Sequence, residues 1–140
     1  MRWITLILAL AATLNAFRQP TQEGRLPGRS WDTVFMLAID LQVLLGLALY
    51  FGLSPFMVEA MNNVGAAMRN PGLRFWGVEH AGGMFAAMML VRTGRVLAAG
   101  ATTVSASRNR RLACFALATL VVLVSIPWPG LANGRPLFRL

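Results

Sequence analysis

Four apolar runs, near residues 3–17, 31–53, 73–97 and 112–128, are separated by short stretches in which arginine, proline and glycine collect. No other feature limits so sharply what the chain folds into. A helix needs about 20 predominantly apolar residues to cross the hydrocarbon core of a bilayer, and the second and third runs meet that length. Composition agrees, with 56% of the 140 residues hydrophobic and 13% charged, against about 25% charged in a soluble domain. A soluble enzyme, a disordered linker and a secreted disulfide scaffold are disfavoured on this ground. The single cysteine, Cys114, has no internal partner, and the sequence holds no CxxC or Cys/His cluster for zinc. The net charge is +8 and all 13 basic residues are arginine. They sit between the apolar runs rather than on one polar face, which reads as membrane loops and not as a nucleic-acid surface.

The first run, Trp3–Phe17, covers about 22 Å at helical rise, short of the ~30 Å hydrocarbon core. A signal peptide also has a basic start and a short apolar stretch. Leu14-Asn15-Ala16 makes a poor cleavage site, however, and three arginines follow between 18 and 29, so a retained helix is expected. Ser30 is placed to N-cap the next helix, 31–53, and Ser54-Pro55 to end it. Over 56–69, Met57, Met61, Val64 and Met68 recur at helical spacing, with Glu59, Asn62, Asn63 and Arg69 on other faces. This spacing reads as one short amphipathic helix in the interface. Asn70-Pro71-Gly72 breaks the chain before a third span over 73–97, whose Arg92 and Arg95 are expected to snorkel to the headgroups. A small, hydroxyl-rich link, 98–107, leads to a fourth span over 112–128. The expectation is one all-α domain, 1–140: a four-helix transmembrane bundle with an interfacial helix between spans two and three.

Four spans put both termini on one side. The loops between spans one and two and between three and four collect Arg18, Arg25, Arg29, Arg92, Arg95, Arg108, Arg110 and Arg111, against Arg2, Arg69, Arg74, Arg135 and Arg139 on the other side. The arginine bias places those two loops in the cytoplasm and the termini outside. Trp3, Trp76 and Trp128 would then form one interfacial belt, with Trp31 at the other face.

Ionisable groups inside a membrane cost free energy unless paired or solvated, which singles out Asp40, Glu79 and His80, with the amide Gln42 beside them. Asp40 and Gln42 are about 200° apart round a helix, so they do not serve one small site. Hydrogen bonds to a Ser, a Thr or a backbone carbonyl of neighbouring helices are the favoured reading, over a proton relay or ligand contact. Glu79 and His80 lie one turn inside Trp76. Arg2 is the natural partner of Glu79, with Arg74 a second and less well placed one, in a pair that fixes helix register. Gly82/Ala86 and Gly83/Ala87 are small-xxx-small pairs, read as a close-packing face or else as room for a flat macrocycle beside His80. No catalytic constellation and no metal cluster is visible.

Arg2-Trp3, Gln42-Val43-Leu44-Leu45-Gly46, Tyr50-Phe51, Ser54-Pro55, Arg74-Phe75, Val78-Glu79-His80, Gly94 and Ile126-Pro127-Trp128-Pro129 together resemble a family of small four-helix bacterial membrane proteins often labelled cytochrome-b-like. The resemblance covers nearly the whole chain. Members of that family begin upstream of the Arg-Trp pair with a histidine-bearing stretch, and often carry histidine where Asp40 stands. Of the histidines behind the haem label only His80 is present in this chain, and the short first span fits a start upstream of Met1. The expected role is non-enzymatic: a small subunit of the bacterial inner membrane that packs against a larger respiratory or photosynthetic complex, in contact with lipid and other membrane subunits, without nucleic acid and with no cofactor expected. One alternative is a b-type haem protein passing electrons to quinone, with His80 as ligand and the second ligand from a partner or from a stretch upstream of Met1. Another is a transporter or sensor built on Glu79, His80 and Asp40.

Overall fold

A computed structural model describes residues 2–18, 29–130 and 134. The described residues are largely helical, with no strand among them. Four long helices, α1 (Arg2–Arg18), α2 (Arg29–Leu53), α6 (His80–Ala99) and α7 (Val104–Ser125), are accompanied between α2 and α6 by α3 (Pro55–Asn62), α4 (Val64–Arg69), α5 (Pro71–Arg74) and a π-helical segment, Phe75–Glu79. Each long helix packs against two of the others: α1 on α2 and α7, and α6 on α2 and α7.

Local chemistry sets most boundaries, and some differ from the sequence expectation. α2 begins at Arg29, so Ser30 lies in its first turn rather than capping it. Ser54 does more than end α2, because its hydroxyl accepts the Met57 N–H and N-caps α3, with Pro55 at the first helical position where its missing donor is harmless. The expected single helix over 56–69 is two. Asn63, in non-helical backbone, closes α3 and caps α4 by accepting the Ala66 N–H at 3.0 Å, the local competition with the helix ladder at which Asn excels. Asn70 caps α5 in the same way. α7 starts eight residues before the expected 112, because Thr103 accepts the Ala106 N–H at 3.2 Å and turns much of the hydroxyl-rich link into helix. It ends at Ser125, and Ile126 beyond it takes the extended backbone that a following proline requires.

The core centres on Phe35, Ile39, Val91, Phe115 and Val122, all buried, with the Phe35 and Phe115 rings edge-to-face at 5.7 Å. α1 contributes mainly small groups, Ala9, Ala12 and Ala16, each fully buried, and Thr5. Most of its large side chains point the other way: Ile7 is 62% exposed and Phe17 63%. Gly83 and Gly94 bring α6 close to α7. A Cβ at Gly83 would stand 2.1 Å from Ser125 Oγ, and one at Gly94 would stand 2.6 Å from Cys114 Cβ. The close-packing face expected at Gly82, Gly83, Ala86 and Ala87 therefore divides. Gly83 and the buried Ala87 meet α7, whereas Gly82 and Ala86 are exposed and a Cβ at Gly82 would meet nothing within 4 Å. Adjacent helical residues diverge by about 100°, so only one of the two rows can face the partner.

Among the described residues one helix, Trp31–Leu53, is long and apolar enough to cross a membrane. α1 is apolar but has 17 residues, α6 carries Arg92 and Arg95 in its second half, and α7 opens with Arg108, Arg110 and Arg111.

Candidate functional site

A cleft of about 350 Å³ opens between α2 and α6, beside the π-helical segment. The π segment matters because its wider ladder frees a carbonyl from its α-helical partner. The Tyr50 hydroxyl donates to the Gly77 carbonyl, while the His80 N–H reaches back to Phe75 O, five residues away. Such insertions occur mostly as single turns and often at functional sites.

His80 stands at the start of α6, half-buried, with its ring 5.5 Å from that of Trp76 and 6.0 Å from that of Phe75. Its Nδ1 lies 2.7 Å from the Ser125 carbonyl. Carbonyl oxygen only accepts, so Nδ1 carries the proton and donates. This contact satisfies one of the carbonyls left without a partner at the end of α7, and it fixes the tautomer: in the neutral ring Nε2 is the acceptor. Among the described residues the cleft wall bears no charged side chain. Gln42, Tyr50, Ser54, Trp76 and His80 are polar or amphipathic, and the remainder, Leu47, Met84 and Phe85 among them, are apolar.

The other polar positions have separate partners. Gln42 accepts a hydrogen bond from the Thr5 hydroxyl of α1 through Oε1, the neighbouring-helix contact expected of it. Among the described residues Asp40 has no hydroxyl or backbone-carbonyl partner. It takes a two-pronged ion pair from Arg92 of α6, with Nη2 3.0 Å from Oδ2. Arg92 is thus held by a carboxylate instead of reaching only for headgroups, since a fork-on-carboxylate contact outcompetes looser solvation. Glu79 pairs with Arg74 at 2.6 Å, and both side chains are nearly half exposed. The π segment puts the two five residues apart in the chain yet on one side. The Arg2 side chain, the expected partner of Glu79, lies outside the described residues.

Two features had no counterpart in the sequence expectation. Asp32 and Arg111, both buried, pair at 3.3 Å between the starts of α2 and α7. An acid immediately after Trp31 at a span end was the signal for it. Thr13 and Thr119 bond at 3.0 Å inside the α1–α7 contact, a seam that only the fold brings together. At the opposite end from Asp32, the Trp3 and Trp128 rings meet edge-to-face at 6.2 Å, and the Trp128 indole N–H donates to Leu123 O at 2.8 Å.

A haem would be held through a strong protein ligand such as an imidazole, and an electron-transfer haem commonly takes a second. His80 supplies one strong ligand. Met84 rises from the same helix face four residues on and so would approach from the same side, while Tyr50 across the cleft already donates to Gly77. The described residues thus offer a single iron ligand and not a spanning pair, and they include no group of three or more His, Cys, Asp or Glu able to hold a metal ion. In comparisons with known proteins the chain matches no family model, no curated protein and no solved structure.

Proposed function

We propose that the chain is a small, non-catalytic, multi-pass subunit of the bacterial inner membrane, a four-helix transmembrane bundle that packs against a larger respiratory or photosynthetic complex. One observation carries the membrane reading: large apolar side chains cover the outside of α1 and α2. α1 turns alanine and threonine inward and Ile7, Leu14 and Phe17 outward, and α2 exposes Leu44, Phe51 and Leu53. Soluble monomers rarely expose contiguous apolar patches beyond a few hundred Å², and such a surface is costly in water. In lipid it is the expected arrangement, since small residues let helices approach while large apolar ones face the acyl chains. The ion pairs and the Thr5–Gln42 bond then satisfy groups that hydrocarbon would leave bare.

The outward Gly82/Ala86 row of α6 supports the partner reading. Four residues apart and unfilled, it is the kind of surface on which a second helix packs closely. Gly82→Leu/Ala86→Leu should leave this chain folded, because the space beyond Gly82 is open, yet should release a stoichiometric partner that co-purifies with the wild-type chain in mild detergent. Isolation of the wild-type chain alone, after crosslinking in intact membranes, would contradict the subunit role. The resemblance to cytochrome-b-like proteins lends the respiratory setting.

A further inference from the structure

We propose that the cleft between α2 and α6 is a binding site for a membrane-soluble phenol or hydroquinone ring, whose hydroxyl donates a hydrogen bond to His80 Nε2. The chemistry of the walls selects this class. No charged residue lines the cleft among those described, so a carboxylate, a phosphate or a cation would be desolvated there without compensation. Three polar groups of the wall already have a protein partner: the Tyr50 hydroxyl donates to Gly77 O, Gln42 Oε1 accepts from Thr5, and Ser54 Oγ accepts the Met57 N–H. His80 is different. With Nδ1–H anchored on Ser125 O, the neutral imidazole presents Nε2 as an acceptor that no other described residue uses. An apolar site with one oriented acceptor recognises an apolar molecule with one O–H donor.

The ring of the ligand follows from the aromatic walls. Tyr50, Trp76 and Phe85 border the cleft, and aromatic pairs gain from offset or edge-on contact beyond simple burial. A volume of about 350 Å³ lies at the lower end of the roughly 300–1,000 Å³ typical of small-molecule sites, room for a single substituted ring with its alkyl tail left in the lipid. Gly46, where an added Cβ would meet nothing within 4 Å, keeps the α2 wall open. The proposal rests on the membrane setting argued above, which supplies the lipid for the tail.

The chain contains one histidine, so imidazole ¹⁵N labelling reports on this site alone. The full chain in phospholipid nanodiscs is titrated with decylhydroquinone and, separately, with its dimethyl ether, which keeps the ring and tail but has no O–H. The expected result is a saturable shift of the Nε2 resonance with the hydroquinone, roughly tenfold or more tighter than any response to the ether, equivalent to one decade in the dissociation constant, with the Nδ1–H signal retained. Gly46→Leu, which fills the cleft from α2, should abolish the response while the Nδ1–H signal shows that α6 and α7 are still docked. Equal responses to the two probes would mean a general acyl-chain groove and would overturn the proposal. So would a response that survives Gly46→Leu, or a Soret band in the purified protein that His80→Ala removes, which would assign Nε2 to iron.

Discussion

The two glycines at the α6–α7 contact and the one facing outward make a controlled comparison at the residue scale. Gly94→Ala would drive a methyl into Cys114 Cβ, 2.6 Å from its ideal position. Neither atom can yield without moving backbone, so a loss of about 1–3 kcal/mol is expected in detergent unfolding, the usual range for overpacking. Gly82→Ala meets nothing and should be neutral or gain up to about 1 kcal/mol from helix propensity. Equal effects at the two positions would contradict the packing described. The ion pairs rank by the same logic. Arg111–Asp32, with side chains 10% and 8% exposed, is the pair whose rupture strands a buried charge, whereas Arg74–Glu79, at 44% and 47%, is open to screening. Asp32→Asn or Arg111→Gln alone should cost about 3–5 kcal/mol, with part recovered in the double variant. Glu79→Gln should cost about 1 kcal/mol or less. A double-mutant cycle at Asp32 and Arg111 that comes out strictly additive would show that the two groups do not interact.

The apolar runs, with Pro55, Pro71 and Pro127 as punctuation, made the four long helices legible in the sequence at the scale of elements, because a run of that length has few other solutions. What escaped was whatever depends on register or on tertiary choice. The π segment at Phe75–Glu79 carries no compositional mark. It is one residue more than an α-helical path requires, and it is held by Tyr50, 27 positions away from Gly77. The Asp40–Arg92 and Asp32–Arg111 pairs join residues 52 and 79 positions apart, and periodicity within a single helix says nothing of such partners. His80 stood out from the sequence as the lone imidazole, but its Ser125 carbonyl, and with it the direction of its free nitrogen, depended on where α7 ended. Tyr50→Phe tests the π segment most simply. It leaves the Gly77 carbonyl without its donor in an apolar setting, so a loss of about 1–3 kcal/mol is expected. An unchanged unfolding midpoint would mean that the segment needs no support from α2.

For the whole molecule, burial of apolar surface does not choose the fold once the helices are in lipid, since a leucine gains little by leaving acyl chains for another helix. Close approach at Gly83 and Gly94, the Thr13–Thr119 and Thr5–Gln42 bonds and the ion pairs then determine which helix meets which. The ring of contacts α1–α2–α6–α7 brings Trp3 and Trp128 together at one end and the Asp32–Arg111 pair to the other, as an antiparallel run of neighbouring helices requires. In the proposed arrangement α1, α2, α6 and α7 all cross the bilayer, with both chain ends on the outer side. Paired phosphatase and fluorescent-protein reporters fused after Gly28, Ser107 and Asn133 test it most directly. Cytoplasmic reporters are expected at Gly28 and Ser107 and an external one after Asn133, because the arginines concentrate around the first two positions. Gly28 and Ser107 on opposite sides of the membrane, or all three reporters on the same side, would contradict it.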